Sequence, residues 1–184
     1  METPSLKQII ECALLAAGEP LNIARLQQLF ETETCPSVET FQHALAELAQ
    51  EVSQRGLQLK EVASGYCLQI QPTMQPWISK LWEKRPPRYS RALLETLALI
   101  AYRQPVTRAE IEDVRGVAVS TDVIKKLIER EWIRIVGHRD VPGKPALYAT
   151  TRQFLDYFNL KTLSELPPLA ELAGLLTTSE ETPT

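Results

Sequence analysis

The sequence predicts an α-rich (α+β) fold of two tandem winged-helix modules joined by a Pro-containing linker, and three observations carry that expectation. Residues 88–150 read as three helices followed by a two-stranded ribbon, which is the plan of a winged helix. Residues 1–82 echo that plan: with Pro20 set on Pro105, an offset of 85, Leu14 meets Leu99, Ala16 meets Ala101, Leu21 meets Val106, Leu26 meets Ile111 and Leu29 meets Val114. Between the two, residues 83–88 read EKRPPR. Pro86 and Pro87 favour an extended left-handed strand, so this linker is expected to act as a stiff spacer of roughly 20 Å at about 3.1 Å per residue.

In the first module, Ser5 with Gln8 forms a capping box for a helix whose face is Leu6, Ile9, Ile10, Ala13 and Leu14, with Gly18 at its end. Asn22 caps a second helix carrying Ile23, Leu26 and Leu29. The third helix, Ser37 to Gln54, places Val38, Phe41, Leu45, Leu48 and Val52 at steps of three and four, a seam suited to a core or to a helix–helix interface. Leu57 and Leu59, a turn at Ser64-Gly65, then Tyr66, Leu68 and Ile70 predict a hairpin. A short helix from Thr73 would turn Trp77, Ile78, Leu81 and Trp82 back onto this module.

In the second module, Leu93, Leu94, Leu97, Ile100 and Ala101 stripe one side of a helix that Gln104-Pro105 stops. Thr107 with Glu110 caps a short helix ending at Arg115-Gly116. A third helix, Ser120 to Arg130, carries Val123, Ile124, Leu127 and Ile128. Ile133 and Ile135 then alternate towards a Pro142-Gly143 turn, and a second strand returns through Leu147 and Tyr148. After Thr150 a helix offers Phe154, Leu155, Tyr157 and Phe158, and Thr162 with Glu165 caps one further turn. The tail, 161–184, is expected to be partly disordered, since TTSEETPT at 177–184 contains no apolar residue.

Composition narrows the function. Apolar residues make up 44% and charged residues 23% of the 184 positions, as in soluble globular proteins. No apolar run reaches the eighteen residues of a membrane span, and Glu11 breaks the N-terminal apolar stretch where a signal peptide would need continuity. Cys12, Cys35 and Cys67 share no CxxC pair and have only His43 and His138 beside them, so three free thiols in a reducing cytoplasm are expected and no metal site. No phosphate loop, paired-histidine motif or nucleophile elbow occurs, so neither a catalytic residue nor a cofactor nor a small-molecule substrate is expected.

The net charge of −3 conceals an asymmetry. Residues 1–82 carry five Lys/Arg against nine Asp/Glu, residues 83–160 carry fourteen against ten, and residues 161–184 carry one against four. Only the middle stretch is basic enough to attract phosphate or an acidic partner. Its third helix mixes Lys125 and Lys126 with Asp122 and Glu129, and Glu131 follows it, so the better basic cluster is Arg134, Arg139 and Lys144 on the ribbon and turn. Three phosphate contacts there would give a salt slope of only about −2.7, roughly forty-fold lost between 50 and 200 mM, too little to find an operator unaided.

Three stretches, LETLALIAYRQPVTRAEIEDVRGV, VGHRDVPGKPALYATT and FLDYFNLKTLSELPPL, resemble the segregation and condensation protein B family, accessory subunits of bacterial chromosome-organising SMC complexes. The resemblance covers about half the chain at motif level. Departures from the family's usual residues are His138 and Lys144, where arginine is usual, and Ala149, where glycine is. The resemblance implies a non-enzymatic adaptor for chromosome condensation and segregation in cell division. It further implies a homodimer joined through the N-terminal modules, and C-terminal modules gripping the central segment of a kleisin subunit (segregation and condensation protein A). The SMC ATPase would then be reached through the kleisin, DNA weakly or indirectly, and the location would be cytoplasmic at the nucleoid. Carried onto matching positions, the partner-binding residues are Arg91, Glu95, Tyr102, Arg103, Arg139, Asp140 and Lys144, with Arg134, Arg139 and Lys144 as possible DNA contacts. The physical motive for the dimer is the acidic first module, whose long seam and terminal Trp77 and Trp82 exceed what a small domain readily hides.

Overall fold

The computed structural model describes residues 4–81 and 89–168. The 83–88 linker, Trp82 and the 177–184 stretch lie outside the described residues. Of the described residues, 52% are helical and 16% lie in strands, a mixed α+β arrangement dominated by helix.

Three local signals set the N-terminal helices. Ser5 and Gln8 close a reciprocal capping box on α1 (Leu6–Ala17), and Gly18 ends it at φ 64°. The Asn22 side chain accepts from the Arg25 amide to start α2 (Ile23–Gln27), and Ser37 accepts from Thr40 to start α3 (Val38–Ser53). Ile10, Leu14, Leu26, Phe41, Leu45, Leu48 and Val52 meet in one core, covered by Leu57, Leu59, Tyr66 and Leu68 of an antiparallel hairpin, β1 (Leu57–Val62) and β2 (Gly65–Ile70). Leu21 pairs with Tyr66 as an isolated bridge through two hydrogen bonds of 2.9 and 2.8 Å.

Several expectations for this half are corrected. α2 stops at Gln27, two residues short of Leu29, which is 56% exposed. Val38 is exposed because it occupies the first turn of α3, beyond the edge of the core. The helix expected from Thr73 breaks into a 3-10 turn at Pro72–Met74, α4 (Gln75–Ile78) and a second 3-10 turn at Ser79–Leu81. Pro72 and Pro76 explain the break, since proline is tolerated only in a helix's first turn. Trp77 is 66% and Leu81 72% exposed, so these side chains do not fold back onto the first core.

The second core is separate. Leu93, Leu97 and Ile100 of α5 (Arg91–Arg103), Ile111 of α6 (Arg108–Arg115), Ile124 and Leu127 of α7 (Thr121–Glu129) and Phe154 of α8 (Arg152–Tyr157) surround Trp132. Thr107 and Glu110 form the expected capping box, and Gly116 ends α6 at φ 68°. Thr96, fully buried within the core face of α5, satisfies its hydroxyl by donating to the Ala92 carbonyl at 2.8 Å.

The sheet here has three strands rather than the expected two-stranded ribbon. β3 (Val106–Thr107) pairs with β5 (Ala146–Thr150), which pairs with β4 (Ile133–His138), in the order β3-β5-β4. A two-residue strand is too short to register as alternation, but its place matches the aligned position in the first half. Leu21 bridges Tyr66, and Val106, which the 85-residue offset sets on Leu21, bridges Tyr148. β4 leaves the core after Ile133, which is why Ile135 is 50% exposed, and a bulge lies between Ile135 and Gly137. Ile128 is also exposed. The turn at Leu163–Glu165 is not capped by Thr162; the Glu165 carboxylate instead accepts from the Lys161 amide at 2.7 Å.

Candidate partner-binding faces on the second half

Helical spacing puts Arg91, Glu95, Ala98 and Tyr102 on one outward stripe of α5, at steps of four, three and four. The Arg91 Nε donates to Glu95 at 2.7 Å, and Arg115 from the end of α6 donates to the other Glu95 oxygen at 3.0 Å. Hydrogen bonds from Arg91 first and Arg115 second hold the Glu95 carboxyl below its ordinary range. The Arg115 side chain is only 9% exposed, and its buried Nε has no hydrogen-bond partner among the described residues.

Beside that stripe lies an apolar groove. Leu97, Ala101 and Phe154 form its floor, and Leu94, Tyr102 and Phe158 its rim, around a cavity of about 300 Å³. Leu166 and Pro167 close one end, and the Tyr102 hydroxyl donates to the Pro167 carbonyl. Leu94 corrects the reading of that stripe as core: it is 42% exposed at the groove's rim. The groove depends on Phe158, Leu160 and Leu166, which come from the far end of the chain and which periodicity within α5 could not reveal.

The other predicted residues lie elsewhere. Arg139 is drawn onto α6, its guanidinium 2.8 and 3.1 Å from the two Glu110 oxygens. Glu110 is the carboxylate that also caps Thr107, so Arg139 fastens the β4–β5 turn to the start of α6. Glu95 meets the opposite end of α6 through Arg115, so the eight-residue helix, about 12 Å long, separates the α5 stripe from the turn. Asp140 and Lys144 are exposed at the turn, Lys144 at φ 36°, while Arg103 and Arg134 are exposed on α5 and β4. On α7, Lys126 pairs with Asp122 at 2.8 Å and Lys125 with Glu129 at 3.7 Å, leaving that helix no net positive face.

Glu112 accepts from the Val119 amide at 2.8 Å and from Arg108 at 2.9 Å, tying α6 to the segment before α7. These contacts, the Val119 amide first, hold its carboxyl below the ordinary 4.5, and the Thr107 amide does the same to Glu110. A depressed carboxyl stabilises the fold above its unfolded value, and that stabilisation fades as pH falls through the folded value. Denaturant unfolding is therefore expected to show the second half losing stability as pH falls below the ordinary carboxyl value of 4.5, less steeply in Glu112→Gln. Equal slopes in the two proteins would contradict this role for Glu112.

Among the described residues no group of three His, Cys, Asp or Glu is placed to hold a metal, and no helix is long and apolar enough to cross a membrane. What the geometry offers is surfaces: a groove, a charged helix stripe and an exposed β4–β5 turn. The comparisons give the chain a family. The profile of the family described as Segregation and condensation complex subunit ScpB matches residues 8–169. A segregation and condensation protein B homolog of Coxiella burnetii is 60% identical over 169 residues, covering 92% of this chain and 81% of the relative. Segregation and condensation protein B of Syntrophotalea carbinolica is 44% identical over 182 residues, covering 98% and 90%. The crystal structure of ScpB from Mycobacterium tuberculosis shares 33% identity over 87% of this chain and 99% of that one, with a TM-score of 0.38. The chain belongs to the segregation and condensation protein B family, which ties it to chromosome segregation and condensation.

Proposed function

We propose that the chain is a non-enzymatic adaptor of an SMC–kleisin complex, built of two winged-helix modules at 1–82 and 89–160 with 83–88 as linker. Its second module captures a segment of the kleisin subunit, and through the kleisin the SMC ATPase, in the cytoplasm at the nucleoid. The observation that carries this reading is the α5 groove. It is open and apolar, and it is flanked by the Arg91–Glu95–Arg115 charges, a combination suited to an amphipathic helix laid along it. Leu94 and Tyr102 supply apolar contact; Arg91, Glu95 and Arg103 supply the polar rim. Homodimerisation through residues 1–82 is supported by the exposed Trp77 and Leu81 at the end of that segment.

Direct DNA binding has weaker support. With Arg139 engaged by Glu110, Arg134 and Lys144 remain for phosphate, lowering the expected salt slope to about −1.8, roughly twelve-fold between 50 and 200 mM. The test is a pull-down with purified kleisin beside a DNA mobility-shift assay near 150 mM salt. Saturable kleisin capture with weak, sequence-independent DNA contact is expected. Sequence-specific nanomolar DNA binding without kleisin capture would overturn the reading.

A further inference from the structure

The two cores share no residue, yet among the described residues the halves of the chain meet at a polar seam. On one side is the turn between β1 and β2; on the other is the end of α8. The Ala63 amide donates to the Leu160 carbonyl at 3.0 Å, and the Ser64 amide to the Asp156 carboxylate at 2.9 Å. The Gln69 side-chain amide donates to Asn159 Oδ1 at 2.6 Å, and Lys161 pairs with Glu61 at 2.5 Å. Asn159 stands at φ 58°, a left-handed conformation that asparagine tolerates, with the Leu160 carbonyl at the turn and the Asn159 side chain at Gln69 on β2.

We propose that this seam is a releasable latch that fixes the orientation of the two halves and keeps the β1–β2 turn occupied within the chain. Three features make it releasable. The contacts are polar, so water can replace each of them when they part. The Lys161 and Glu61 side chains are 50% and 42% exposed, so their attraction is screened and modest. Beside the seam runs an open cleft of about 510 Å³ between Leu14, Cys67 and Leu68 on one wall and Gln153, Asp156 and Tyr157 on the other, where a permanent interface would be filled by side chains. The contrast with the second hairpin is direct: its Val141–Gly143 turn is exposed to partners, while the first hairpin's turn is taken.

The latch acts on the segment that also builds the groove. Asp156 and Asn159 contact the first hairpin, while Phe154, Phe158 and Leu160 line the cavity against α5. Opening it is expected to leave both cores intact, because none of the buried core residues takes part in the four contacts and Leu160, packed against the second core, contributes only its carbonyl.

Hydrogen exchange of the full chain at single-amide resolution tests this, with small-angle scattering on the same samples. In the parent protein the Ala63 and Ser64 amides are expected to be protected by their partners across the seam. Glu61→Lys, which sets a like charge against Lys161, should speed their exchange at least about tenfold and enlarge the scattering radius, with core amides unchanged. The double variant Glu61→Lys/Lys161→Glu should restore both readings. Unprotected Ala63 and Ser64 amides in the parent protein would overturn the latch. So would a Glu61→Lys protein indistinguishable from the parent, or a double variant that fails to regain protection.

Discussion

Trp132→Ala is expected to destabilise the second half by about 3–5 kcal/mol, a large fraction of the stability of any small domain. The indole is 2% exposed and lies at the centre of an aromatic cluster. Its ring centroid is 4.6 Å from Tyr157, 5.1 Å from Tyr89 and 5.4 Å from Phe158, and the Arg130 guanidinium sits 5.4 Å above it. Alanine would leave a cavity bounded by α5, α7 and α8 together, which side-chain shifts on one helix cannot fill. Because the first core shares no residue with this cluster, the change should appear in one part of a urea unfolding curve followed by circular dichroism. A shift below about 1 kcal/mol would mean that the cluster collapses around the vacancy, contrary to this packing.

Gly65→Ala is expected to be the most damaging small substitution in the first half, on the order of 3 kcal/mol. Gly65 has φ 140°, which L side chains rarely adopt, and an added Cβ would stand 2.3 Å from the Leu21 carbonyl carbon and 2.4 Å from the Asn22 amide. Backbone, not a flexible side chain, blocks it. The hairpin would have to withdraw from the Leu21–Tyr66 bridge, breaking two hydrogen bonds and disturbing the cap of α2. Gly116→Ala is the control: at φ 68° with open space around it, only the left-handed cost of about 1–2 kcal/mol applies. Equal losses in the two variants would show that the close approach at Gly65 is unimportant.

What could be read in the sequence follows from the range of the interactions. Caps at Ser5, Asn22, Ser37, Thr107 and Ser120 act within three residues, so the helix starts were legible. The 85-residue offset sets Leu26 on Ile111, and both are buried, at 0% and 1% exposed. The same offset set Leu29 on Val114, and both are exposed. Periodicity gives a side chain's direction but not whether another element covers it. Leu94 and Trp77, apolar and in helical register, are exposed for that reason. The resemblance, not spacing, singles out Arg91, Glu95 and Tyr102; the helix puts them on one stripe of α5, and their surroundings had no signal in the sequence. Arg115, Phe158 and Pro167 reach it from other elements, and Glu110 captures Arg139 across 29 positions. The seam joins Ser64 to Asp156 across 92 positions through polar groups that carry no local pattern.

The adaptor reading turns on whether the α5 groove takes the kleisin. A binding isotherm of purified kleisin against the full chain, repeated with Leu94→Glu, tests this most directly. Leu94 is exposed at the groove's rim, so the variant should fold and melt like the parent protein. The account predicts saturable binding that weakens at least about tenfold in Leu94→Glu, since covering the exposed part of Leu94 contributes on the order of 1 kcal/mol, a carboxylate buried in its place costs more, and 1.4 kcal/mol is a factor of ten. Equal affinity of parent and variant would contradict it and place the kleisin contact on another surface.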